Sequence, residues 1–484
     1  MNRILLAGAL ALAAGGAAAS PSRVSILAAP GLLADPYGDL AFNPAYVNMI
    51  DGGLIFLDAS GEDQDSSDEH RQSAKGHPWL NTYGSSRHWR YAPVVGIAGR
   101  IAPFAAALEY SGSRERSQWG DVTEDFSTDW VYSYSSWNTT ERPYLATLRL
   151  GWSFGDAIQA AALGSASELS RRATSYYWDG RITSRSHAHT SDRAFGGGVT
   201  FQVIGGPRLG LYATRGTGRS DATSEFPWGL FPFSYNLVPS NSWASHTTDT
   251  VGLTAETNPA GRVNVRSYVQ AVWQDGPTEA PLAWLPPYEA LTVDSSEQGL
   301  TAGLAAAIKR EGGLTVVPSV TGRFWVTRTR DRHTPYAWDP GQFTDSLHRS
   351  RSDNVTTRLG VEFPIVSEVL ILRGSLSALY WYCGRETYSN YDSTMGWTYR
   401  EEDHSDFLQA LGGWYAVGLG FVLSPHLGID LDLSENLWSR NQDARDEGPP
   451  LGGEDGWDWR HGASHWLTFR IQVTYSFGSS SPAI

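Results

Sequence analysis

The chain holds one cysteine, Cys383, among 484 residues, so it forms no internal disulfide. Methionine is nearly as scarce at 3, and only 18% of residues are charged. A net charge of −14 lacks the basic excess that a nucleic-acid surface exchanges for counterions, which removes DNA and RNA as partners. Beyond the N-terminal leader no apolar run is long enough for a transmembrane helix. No G-x-S-x-G elbow, H-E-x-x-H zinc motif or Walker loop occurs. The repeat near forty residues that a propeller would show is missing too.

What is plentiful points one way. With 51 Gly, 20 Trp, 22 Tyr and 17 Phe, the composition suits a large antiparallel β protein. Residues 1–19, "MNRILLAGALALAAGGAAA", join a basic Arg3 to a short apolar stretch, with Ala17 and Ala19 framing an A-x-A cleavage site, and read as a secretory signal peptide. No cysteine stands there to carry a lipid anchor. An exported chain of this kind is periplasmic, secreted, or an outer-membrane barrel.

Alternation of apolar and polar residues decides among these. In "LTFRIQVTYSF", Leu467, Phe469, Ile471, Val473, Tyr475 and Phe477 share one face of a strand, and Thr468, Arg470, Gln472, Thr474 and Ser476 the other. The same period of two runs from Tyr144 to Phe154 and from Val263 to Trp273. It returns at 300–308, 320–326, 355–363, 370–382, 415–423 and 427–433. Strands of roughly ten residues cross a tilted bilayer. The connections alternate as well: short turns near Arg100, Gly155, Gly205, Pro259, Gly312, Pro364 and Pro425 separate long polar stretches at about 59–91, 112–142, 171–193, 217–245, 274–297, 329–353, 385–406 and 437–464. This spacing predicts an all-β, up-and-down transmembrane barrel of about 16 strands, with 14 as the alternative, short periplasmic turns and long extracellular loops. A soluble sandwich explains the alternation but not why every second connection is long. Trp152, Phe154, Trp273, Tyr380, Trp381 and Tyr382 sit where strands meet the headgroups.

Ahead of the first strand, "LLADPYGDLAFNPAYVNM" contains Phe42, Asn43, Pro44 and Ala45. This "FNPA" resembles the "NPAG" element of the FadL-type outer-membrane transporters of hydrophobic compounds, with Tyr46 in place of the family's Gly. The closing "VTYSF" looks like the last strand that barrel-assembly machinery recognises. The resemblance implies a plug formed by the N-terminal segment and an apolar substrate leaving sideways through the wall, although that family has fourteen strands. A plain turn at Pro44 is the alternative reading. The domain plan is therefore a signal peptide at 1–19, an N-terminal periplasmic or plug segment at 20–50, and the barrel at 51–484.

Strand phase turns Arg149, Arg266, Arg323, Arg358, Arg373 and Arg470 inward, with Glu256, Glu362, Asp430 and Asp432 among them. An arginine facing lipid at the midplane would cost about 2–4 kcal/mol, so the inward assignment follows from energy. These groups either set a field across a water-filled passage or form paired charges that fill the interior and dock the N-terminal segment. The acidic runs from Gly61 and from Asp443 lack EF-hand spacing and read as solvated surface or as bridges to lipopolysaccharide through cations. His187 and His189, and the His404 and His461 neighbourhoods, are the thin candidates for a metal or catalytic group. The expectation is a non-enzymatic outer-membrane channel or transporter without metal or cofactor, passing small molecules passively. The rival is a surface-display protein whose barrel only anchors partner-binding loops. Expected partners are outer-membrane lipid and lipopolysaccharide, the barrel-assembly machinery and a small solute; a lipid-facing patch and a subunit interface read alike, so an oligomer stays open.

Overall fold

The computed structural model describes residues 23, 26–28, 32–33, 39–40, 43–50, 52–74, 77–125, 130–177, 182–203, 206–228, 236–257, 261–281, 290–310, 312–333, 343–366, 369–392, 398–424, 426–436, 445–447, 455–461 and 465–477. Among them nineteen strand segments form one antiparallel sheet. Three continue others along the same stave: Arg114–Asp125 extends Phe104–Gly112, Arg445–Glu447 extends Leu427–Asn436, and Asp455–His461 leads into His465–Phe477. Sixteen staves result, and the sheet closes on itself. The first stave, Gly53–Ala74, pairs with the last, His465–Phe477, setting Gly53 opposite Phe477.

Closure satisfies the edges that an open sheet would leave bare. The outer face carries the apolar half of each alternation: Leu57, Leu148, Leu253 and Ile471 are all exposed, Leu57 by 53%. The inner face carries the polar half, and Glu256, Arg373 and Gln472 are exposed by 2% or less. A water-soluble fold would be arranged the other way. With its even number of staves, short turns at one end and apolar outer band, this is an outer-membrane barrel. Near the short-turn end, rings of the aromatic girdle meet, Phe104 against Trp152 at 4.6 Å and Trp152 against Phe154 at 5.9 Å.

The short turns fall where expected, and Gly155, Gly312 and Gly313 supply the positive φ that three of their positions require. At the other end the structure differs from the expectation of long loops. The ladder continues through much of each polar stretch, so that staves reach 25 residues at His77–Ile101 and 27 at Thr398–Ser424. The reason is that backbone pairing does not depend on an apolar face. Above the bilayer both faces meet water, the alternation lapses, and the hydrogen bonds persist.

Candidate functional site

Within the barrel, at the short-turn end, the described residues of the N-terminal segment run along the inner wall. Asn43 caps a 3-10 helix, Pro44–Met49, by accepting a hydrogen bond from the Ala45 amide at 3.0 Å, and Pro44 occupies the first turn, where its missing N–H costs nothing. The Asn48 side chain donates to the Ala160 carbonyl at 2.9 Å, and the Tyr46 hydroxyl lies 3.0 Å from that of Thr254. Tyr46, the departure from the family element, thus gains a wall contact that a glycine has no side chain to make. Phe42 lies outside the described residues.

Two apolar clusters sit behind these polar contacts. Leu40, Val47 and Ile50 pack with Leu54, Phe56, Ala98, Ala105 and Ala107 of the wall. Ile26, Leu27, Leu32 and Leu33 pack with Tyr268, Ala305 and Val317. The wall makes room with glycines. A Cβ on Gly360 would overlap the Leu27 carbonyl, and one on Gly198 would overlap the Asn43 side chain.

Charge pairs tie the segment to the wall at two places. Arg23 donates twice to Glu362, at 2.7 and 2.9 Å, and Arg373 donates to the same carboxylate at 2.9 Å while also pairing with Asp430. Three staves away along the wall, Arg266 donates to Asp39 at 2.7 Å and to Glu256 at 3.0 Å, and Glu256 also accepts from Arg208 and Asn264. Buried pairs of this kind contribute little over an apolar substitute, but removing one partner costs about 3–5 kcal/mol because the other charge stays buried alone. Arg358 donates to the Ala28 carbonyl at 2.9 Å.

The remaining residues picked out by phase are spread more widely. Arg149 pairs with Glu109 at 3.3 Å, and Arg470 donates to Asp58 at 2.8 Å. Arg323 shares the face of Thr315 and Val317 but lies farther from the short turns, exposed, with its guanidinium 4.5 Å from the Trp325 ring. Asp432 and Arg470 line an interior cleft of about 250 Å³ with Glu62, Arg90, Ser434 and Thr468, and Ile26 of the segment borders it. Strand phase does not single out Asp39, Arg23, Asp58 or Glu109. Parity within their strands is the signal that could find Asp58 and Glu109, whereas Arg23 and Asp39 lie in a stretch with no period.

Other candidates do not assemble. His187 and His189 share the exposed outer face of Ile182–Gln202, and the His187 ring lies 3.4 Å from the Ser170 hydroxyl. Among the described residues no three His, Cys, Asp or Glu side chains converge as a metal site would require. The side chains of His404 and His461 lie outside the described residues.

A discontinuity interrupts the wall beside the first staves. The stave formed by Phe104–Gly112 and Arg114–Asp125 breaks at Ser113, and both neighbours carry proline there, Pro93 and Pro143. Proline has no N–H for the ladder, so pairing lapses for two positions on each side, although the register is the same above and below. The Ser113 amide still donates to the Pro143 carbonyl at 2.9 Å.

No protein-family model and no curated protein matches the chain. Solved structures do. A FadL homologue from Pseudomonas aeruginosa is 12% identical over 96% of this chain and 100% of its own, with a TM-score of 0.46. The toluene transporter TodX of Pseudomonas putida is 12% identical over 96% and 97%, at 0.39, and the toluene transporter TbuX of Ralstonia pickettii 12% identical over 91% and 94%, at 0.38. At these values the assignment as a barrel rests on the ladder of this chain itself.

Proposed function

We propose that this chain is a passive outer-membrane channel for small polar molecules, closed at its inner end by the N-terminal segment, residues 20–50. The observation that carries the reading is the double tie of that segment to the wall, Arg23 to Glu362 and, three staves away, Asp39 to Arg266. Charges are placed where a solute would otherwise pass, and two of them, Glu362 and Arg266, meet an opposite charge of the segment. The cleft beside Ile26 supports a polar solute, because guanidinium, carboxylate and hydroxyl groups line it together. The reading includes no catalytic step.

Single-channel recording in planar bilayers tests it. The mature protein is expected to be quiet or weakly conducting, and a version lacking residues 20–50 to show steady, larger steps. Silence in both would overturn the channel and favour a barrel that serves only to display its outer hairpins.

A further inference from the structure

The break at Ser113 has an outward side. On the lipid-facing surface it opens into a groove of about 570 Å³ lined by Leu57, Val95, Tyr110, Tyr144, Ile471 and Val473. Arg114 borders this groove at the edge away from the short turns. Because Gly112 pairs with Tyr144 and Glu115 with Glu141, the intervening register sets Arg114 opposite Arg142. Both side chains are exposed, and neither has an ion pair or hydrogen bond among the described residues.

Two cations facing each other across a pair of strands repel, and the residues directly opposite them on the outer neighbours, Tyr91 and Ser170, carry no charge. Of the outward acids nearby, Asp63 is engaged with Arg87 at 3.5 Å, and Glu168 lies opposite Tyr144, one outward position away from Arg142. Two more outward arginines add to the excess. Arg116, opposite Trp89, donates to Asn138 at 3.3 Å, and Arg172 lies opposite Thr140. The site therefore has a basic rim, a belt of tyrosines just below it, and an apolar trough running towards the membrane midplane.

We propose that this notch is a specific seat for a phosphorylated lipid of the outer leaflet, with an acyl chain in the trough and a phosphate between Arg114 and Arg142. Guanidinium forks match phosphate oxygens in two-point geometry, and an anion between them removes their mutual repulsion. The lipid is favoured over a free anion because the trough opens to hydrocarbon and its lining is mainly apolar, the buried Asp58 carboxylate within it being held by Arg470. The lapse in the ladder at Pro93 and Pro143 is what recesses the wall and gives the chain a place to lie.

Native mass spectrometry of the mature protein in detergent, titrated with a bis-phosphorylated lipid A and with its dephosphorylated form, tests this. The wild type is expected to bind the phosphorylated lipid about tenfold more tightly, and the double variant Arg114→Gln/Arg142→Gln to lose that difference. The pair Arg215→Gln/Arg219→Gln, whose arginines are already matched to Asp249 and Asp221, is expected to bind like wild type. Filling the trough with Val95→Trp is expected to weaken both lipids. Folding of each variant is checked by the heat-dependent gel shift of a closed barrel, and Arg142→Gln alone replaces the double variant if that does not fold. Equal binding of the two lipids by wild type, or an unchanged preference in the Arg142 variant, would overturn the proposal.

Discussion

Gly360 faces the Leu27 carbonyl at a distance that leaves no room for a side chain. Substituting Gly360→Val should therefore displace the segment while leaving the stave paired. The expected outcome is increased conductance with an unchanged heat-dependent gel shift, and a variant as quiet as the wild type would show that the segment yields without opening a path. Residues of this kind are hard to read from sequence, because a glycine in a strand does not announce what approaches it. Arginines are easier. Arg149, Arg266, Arg373 and Arg470 occupy the polar phase of clear alternations, and each does face inward to a carboxylate. Arg23 and Asp39, which meet the wall from the segment, sit in a stretch with neither helical nor strand period, so no pattern points to them. Asn43 and Pro44 stand out because a capping side chain followed by proline is a local signal that survives without tertiary context.

At the scale of the strand, alternation identifies which face meets lipid and where each stave crosses, since burial of one face in hydrocarbon imposes it. It does not show where the ladder ends, because above the headgroups nothing forces a period of two. The last stave offers a direct measurement of the distinction. Ile471 is exposed to the lipid side near mid-stave, whereas Thr468 is on the inward phase beside Ser434. Ile471→Arg is expected to destabilise the barrel by about 2–4 kcal/mol in equilibrium unfolding from lipid vesicles, and Thr468→Arg by much less. Equal costs at the two positions would mean that the faces have been assigned the wrong way round.

For the molecule as a whole, closure between Gly53–Ala74 and His465–Phe477 makes the last stave indispensable. Stopping the chain after Ser464 removes His465–Phe477, the part of that stave that closes the barrel against Gly53–Asp65, and bares two sheet edges. Such a truncated chain is expected to show no heat-dependent gel shift and to aggregate in detergent, and a folded, shifted band would contradict the closure seen here. The even count of staves is legible because short and long connections alternate along the sequence. The break at Ser113 is not, since two prolines fifty residues apart in the chain, Pro93 and Pro143, come to flank one stave only in the closed sheet. The length of the staves has one more consequence. With roughly ten residues needed to cross the bilayer and a rise of roughly 3.3 Å for each residue, about half of the wall stands above the headgroups as a collar roughly 30 Å tall after tilt. A solute arriving from outside meets the mouth of that chimney amid the sugar layer, well before it reaches the plane of the membrane.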